Sequence, residues 1–205
     1  MKGRLTYIAE GNDNPNSIYY SKKLRVDSRG GLVIGRGYRL YEKTDHTISY
    51  DMQTIGLNPK AISILRRFHK AKGIEAKAVV EKVDSYIHLT HEQETKLFEK
   101  EYEASRNAIE TFLLNNMHGY GTQSFDYLPQ YQQEILIDFY YAGHFDLKIQ
   151  NLILTALGRC TKSRTNDAFN ELVNDVNLWR DFDVNIDRIK YRMIYVKENN
   201  SFKGE

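Results

Sequence analysis

Glu10, with Gly11 behind it, is the first residue of the chain that suggests a chemistry. It stands at the end of an apolar segment, where partial burial would favour a protonated carboxyl. Splitting a glycosidic bond needs such an acid to protonate the leaving oxygen. It also needs a partner on the other side of the sugar, to position water or to act as nucleophile. Asp27 fits the opening of the turn Asp27-Ser28-Arg29-Gly30-Gly31, a place Asp often takes. Arg36 fits either a guanidinium that braces a hairpin or a substrate contact. Tyr20 and Tyr38, with Tyr19 and Tyr41, could stack on sugar rings. Alternation along strands would send about half of such rings to the core instead.

The elements that must position these residues are legible in outline. Leu5, Ile8 and Ala9 recur at helical spacing, a short helix ending near Glu10. Asn12 to Asn16 is turn-forming. Ile18-Tyr19-Tyr20, Leu24-Arg25-Val26 and Leu32-Val33-Ile34 read as short strands, the last two forming a hairpin about the Asp27–Gly31 turn. Helical signals dominate afterwards: Pro59 to about Lys72, Lys77 to Tyr86, and a long helix behind the capping box Thr90-His91-Glu92-Gln93. Met117 to Phe125 reads as a Gly-rich loop. Further helices are expected from Pro129 to near Gly143, at Ile149–Leu157, Thr165–Val176 and Asp187–Lys197. The class is α+β, a single domain over 1–205. A small β-hairpin lobe is expected at about 12–50, a larger helical lobe at 55–197 and a frayed tail at 198–205.

Composition removes several alternatives. A formal net charge of +2 is too balanced to argue for nucleic acid. Cys160 is the only cysteine, so neither an intrachain disulfide nor a multi-cysteine zinc site can form. The six histidines are dispersed, and His88 and His91 straddle a helix start, so no metal and no cofactor is expected. No Gly-Lys-Ser/Thr follows Gly35-Arg36-Gly37, which is therefore not a phosphate loop. Cys160 has no evident His and acid beside it to make it a nucleophile. No segment is apolar enough to span a membrane, and Met1-Lys2-Gly3-Arg4-Leu5 lacks the apolar run of a signal peptide. Fifteen Tyr and nine Phe supply rings for a groove as well as a core. Lys22, Lys23, Arg25, Arg29, Arg36, Arg39 and Lys43 crowd the hairpin against Asp27 and Glu42, which suits either a solvated face or an anionic polymer such as peptidoglycan or teichoic acid.

Glu10-Gly11, the polar loop with Ser17-Ile18-Tyr19-Tyr20-Ser21, and the run Gly30-Gly31-Leu32-Val33-Ile34-Gly35-Arg36-Gly37-Tyr38-Arg39 together resemble the pesticin-like branch of the lysozyme-fold toxins. The family's turn reads approximately Ser-Gly-x-Thr-Ile-Gly-Arg-Gly-Tyr-Asp. Leu89-Thr90-His91-Glu92-Gln93 with Leu97-Phe98 looks like its middle helix. Leu128-Pro129 with Gln133, Leu136, Asp138, Tyr141 and Gly143 looks like its buried helix. The resemblance runs from Glu10 to about Gly143, and more weakly to Arg188–Arg192. It implies a lysozyme-like fold and a muramidase that cleaves peptidoglycan, with Glu10 as catalytic acid. Val33 then stands at the family's Thr and Arg39 at its Asp. Val cannot hydrogen-bond a water, and Arg reverses a charge. In the related phage-type lysozymes the second carboxylate precedes the Thr by the six residues that separate Asp27 from Val33, so the resemblance makes Asp27 the candidate partner of Glu10; this role and the turn-opening one both stay open.

Two functions follow from this pattern. One is a bacteriolytic glycoside hydrolase, weakened by the loss of Thr and Asp. The other is a lysozyme-fold protein without catalysis that binds peptidoglycan or a protein partner. An immunity protein is a further partner the resemblance allows. A monomer is expected, delivered to the periplasm or cell wall by lysis, a carrier or a secretion system.

Overall fold

A computed structural model describes residues 2–17, 20–83, 86–117 and 125–200. Ile18 and Tyr19, the core of the expected loop at 117–125, and the tail beyond 200 lie outside the described residues. The architecture is α+β: ten helices and one small antiparallel sheet among the described residues. Two compact units divide the chain. One comprises Glu10–Glu101, the other Met1–Ala9 with Tyr102–Glu205. The division falls inside the long helix at 91–116, so the hairpin shares its unit with the helices up to residue 101.

The unit from Glu10 to Glu101 holds the sheet. Strands β1 (Arg25–Val26), β2 (Leu32–Ile34) and β3 (Tyr38–Arg39) pair in sequence order, all antiparallel. β3 was not expected, because two residues are too short to show alternation. It leads through a 3₁₀ turn, Leu40–Glu42, into helix α2 (Asp45–Thr54), which was not expected either. α2 is polar along most of its length and buries Ile48, Met52 and Asp51. Thr44 starts it, its hydroxyl accepting from the Thr47 N–H at 3.1 Å. Helix α3 (Pro59–Phe68) begins on the Asn58 cap with Pro in its first turn, where a missing N–H costs nothing. Helix α4 (Gly73–Val83) starts and ends earlier than the expected 77–86.

Helix α5 (His91–Asn116) begins at the capping box anticipated from sequence. The Gln93 N–H donates to Thr90 Oγ1 at 3.1 Å, and the Thr90 N–H donates to Gln93 Oε1 at 3.0 Å. Leu32, Ile34 and Tyr38 of the sheet bury against Ile48 and Met52, Ile62 and Leu65, Val79 and Val83, and Leu97. Each such side chain contributes about 1.5–3 kcal/mol on burial, so this core fixes one face of the sheet firmly.

The other unit is helical: α1 (Arg4–Ala9), the later part of α5, α6 (Gln130–Tyr141), α7 (Leu147–Ser163), α8 (Asp167–Asn174), α9 (Val176–Asp181) and α10 (Ile186–Asn200). Asp138 on α6 is fully buried. Its Oδ2 accepts from Arg192 Nε at 2.7 Å and Arg188 Nε at 3.1 Å, and its Oδ1 pairs with Arg188 Nη2. Burial alone would push this carboxyl up, but the two guanidiniums hold it well below the usual carboxylate range. Arg192 is itself fully buried, its guanidinium 4.4 Å from the Phe139 ring centroid and 5.4 Å from that of Trp179. Those two rings stack at 4.6 Å. No helix among the described residues is long and apolar enough to cross a membrane.

Candidate functional site: the Arg25, Val33 and Arg39 row of the sheet

Register decides which residues meet on the sheet. Val33 pairs with Arg25 on one side and with Arg39 on the other. Opposed residues on antiparallel strands share a face, so Arg25, Val33 and Arg39 form one row across all three strands. Leu32, Ile34 and Tyr38 alternate to the other face and enter the core. Val33 is 3% exposed. Thus the two positions that depart from the lysozyme-like pattern, 33 and 39, are direct neighbours, and Arg25 completes their row.

Arg25 ties this row to Glu10. Its Nη1 donates to the Gly35 carbonyl at 2.7 Å, and its Nη2 to the Glu10 carbonyl at 3.5 Å. Glu10 directly follows α1 and is half-buried, and Arg25 joins its carbonyl to the turn between β2 and β3. That turn needs glycine: Gly35 and Gly37 have φ of 64° and 99°.

Asp27 is committed to the first turn. Its Oδ1 accepts from the N–H groups of Arg29 and Gly31, each at 3.0 Å. Its Oδ2 accepts from the Tyr41 hydroxyl at 2.7 Å. The Asp27 N–H also reaches the Gly31 carbonyl at 3.0 Å, continuing the β1–β2 ladder. Of the two roles left open for Asp27, this is the turn-forming one. Tyr41 lies two residues beyond Arg39 and lays its ring over Gly31; a Cβ there would come within 2.0 Å of the ring. Burial, reinforced by the hydrogen bond to Asp27, pushes the Tyr41 phenol up to about 12, with Arg39 pulling the other way.

The expected sugar contacts sit elsewhere. Tyr38 is 1% exposed, a core residue and not an open stacking platform. Its hydroxyl donates to Asp51 Oδ2 at 2.8 Å, and Lys100 Nζ meets Asp51 Oδ1 at 2.6 Å. Burial and this carboxylate push the Tyr38 phenol far up. Arg36 is buried as well. Its Nη2 meets Asp13 Oδ1 at 2.6 Å and its Nε meets Glu94 Oε1 at 3.0 Å, so it clamps the 12–16 loop to the first turn of α5. This arrangement is that of a brace. Tyr20 is largely buried, its hydroxyl 3.3 Å from His88 Nε2. Sequence reasoning did not single out Glu94 or Asp51. Their burial is explained only by partners distant in sequence, Arg36 for Glu94 and Tyr38 for Asp51.

Chemically, the row offers cations and an aliphatic side chain. A guanidinium has five N–H donors and no acceptor, and does not deprotonate in a protein. It can bind carboxylate or phosphate but cannot act as general base or nucleophile. Among the described residues no group of three His, Cys, Asp or Glu is arranged to hold a metal ion.

These features define a class: an α+β protein with a small three-stranded antiparallel sheet, one face of which carries the row Arg25, Val33 and Arg39. The chain belongs to a family described as a domain of unknown function (DUF8812), whose model matches residues 3–193. Neither the curated proteins nor the solved structures contain a match.

Proposed function

We propose that the protein is a lysozyme-like, peptidoglycan-directed binding protein that has lost glycoside hydrolysis. The observation that carries this reading is the engagement of both Asp27 carboxylate oxygens by the turn and by Tyr41. Hydrolysis with Glu10 as acid needs a second group to direct water or to attack the sugar. Asp27 is held in another task, and Arg25, Val33 and Arg39 cannot replace it. The exposed Arg29, Lys70 and Lys72 beside this row suit a glycan that carries carboxylates. Reaching the wall would take lysis, a carrier or a secretion system.

Cosedimentation with purified, insoluble peptidoglycan, run beside a turbidity assay on the same material, tests the reading. The wild type is expected to cosediment and to leave turbidity unchanged, and Glu10→Gln is expected to bind equally. A fall in turbidity with wild type that Glu10→Gln abolishes would overturn it in favour of a muramidase using Glu10. Clearing that appears only in the double variant Val33→Thr with Arg39→Asp would support descent from an enzyme.

A further inference from the structure

Tyr41 gathers cations from three separate segments. Lys70 Nζ donates to the Tyr41 carbonyl at 2.8 Å and to the Lys43 carbonyl at 3.2 Å. Lys72 Nζ lies 5.5 Å from the Tyr41 ring centroid. Arg39 stands two residues before Tyr41, opposite Val33 on β2. Arg29, on the turn that Asp27 organises, sits 3.7 Å from Glu42 Oε1. Lys70 and Lys72 are brought here by the main chain: Gly31 bridges Lys72, and the Gly73 N–H donates to the Gly30 carbonyl at 2.8 Å. Arg29, Lys70 and Lys72 are exposed and Arg39 half-buried. Two carboxylates stand among these four cations: Glu42, which faces Arg29, and Asp27, which accepts three hydrogen bonds within the turn.

We propose that this patch, Arg29, Arg39, Lys70 and Lys72 about Tyr41, binds a phosphodiester-linked polyol polymer of the cell-wall type. The proposal deepens the wall-binding reading and rests on it. Two guanidinium forks and two compact ammonium groups match repeated phosphate oxyanions. A single-stranded nucleic acid would also supply phosphates, but its binding draws on open aromatic faces for base stacking. Here the Tyr41 ring has Gly31 packed beneath it and Lys72 over it. A polymer without bases therefore fits the patch better.

The test is binding of the full chain to immobilised poly(glycerol phosphate), with single-stranded DNA and poly-glutamate as comparison surfaces. Four phosphate contacts predict a loss of roughly fifty-fold in affinity between 50 and 200 mM salt, from a slope of about 0.7 per contact. The triple variant Arg29→Gln, Lys70→Gln, Lys72→Gln leaves Arg39 alone and should fall to roughly three-fold over the same range. It should also bind at least ten-fold more weakly at low salt. A control triple, Arg159→Gln, Lys162→Gln, Lys190→Gln, removes the same charge from the other unit and should bind as wild type. Equal losses in the two triples would overturn the proposal, because net charge alone would then explain binding. Equal or tighter binding to DNA or poly-glutamate would overturn the polyol phosphate assignment. Absence of binding to the polymer overturns it outright. Cosedimentation with peptidoglycan stripped of phosphate polymers separates the two readings. Retained binding there leaves the wall-binding reading standing whatever the polymer result. Loss there, with polymer binding intact, sinks that reading and keeps the patch.

Discussion

Removing the Asp27 carboxylate should cost folding stability, and the size of the loss is set by what it holds. Asp27→Ala deletes the acceptors for the Arg29 and Gly31 N–H groups and for the Tyr41 hydroxyl. A hydrogen bond to a charged acceptor is worth about 1.5–3 kcal/mol when buried. This turn is half-exposed, and water recovers part of each bond, so about 2–3 kcal/mol is expected for all three together. For a chain of this length that is a fall in melting temperature of roughly 4–12 °C. Asp27→Asn keeps an acceptor oxygen for the two N–H groups and should cost about 1 kcal/mol or less. Tyr41→Phe removes one bond and should cost about 1 kcal/mol. In a double-mutant cycle, Asp27→Ala and Tyr41→Phe should couple by about 1 kcal/mol, since one bond is counted in both. Urea and thermal unfolding of the four proteins measure these values. The Tyr41 phenol also gives a pH signature. Its folded value, about 12, lies above the ordinary value near 10. Its contribution is thus complete below about pH 10 and disappears as pH rises towards 12, a component that Tyr41→Phe should lack. An Asp27→Ala protein as stable as wild type would refute the reasoning. So would an Asn variant as damaged as the Ala variant, for then charge and not turn geometry is what matters.

Two further perturbations test the packing around the site and beneath it. Asp138→Ala strands the buried Arg192 guanidinium and should destabilise by about 3–5 kcal/mol in denaturant unfolding. Because the Asp138 carboxyl titrates below its unfolded value near 4, its contribution is present above that pH and is lost as acid is added; Asp138→Asn should lack this acid limb in stability measured between pH 5 and 2. Gly31→Ala forces a Cβ into the Tyr41 ring, which must swing away and release Asp27. A loss of about 1–3 kcal/mol is expected, and unfolding should show it to be much reduced in a Tyr41→Ala background.

Local signals were readable and long-range ones were not. Thr90 and Gln93 form their capping box within four residues, and Asn58-Pro59 starts α3 on similarly local terms. α2 has no such advantage. Its buried Asp51 is acceptable only because Tyr38 and Lys100 come to it from elsewhere in the chain, which no periodicity announces. The same holds for Arg36. The spacing of Gly35-Arg36-Gly37 marks a tight turn, but the carboxylates that bury Arg36 come from Asp13 and Glu94.

The site itself turned on register. Asp27 and Arg39 are equally distant from Val33 in sequence, six residues on either side. Equal spacing gives each an equal claim to be Val33's cross-strand neighbour, and only the turns separate them. Gly35 and Gly37 close the second turn tightly enough to seat Arg39 opposite Val33. The first turn closes between Asp27 and Gly31, which leaves Arg25 as Val33's partner and carries Asp27 one row further along. There Asp27 meets Tyr41. A carboxylate opposite Val33 on β1 would need a turn two residues longer, or an acid at position 25. The cationic row is therefore a consequence of two turn geometries as much as of two substitutions. Restoring Thr and Asp at positions 33 and 39 would recreate one side of a hydrolytic pair while Arg25 remained on the other, bound to the Glu10 carbonyl.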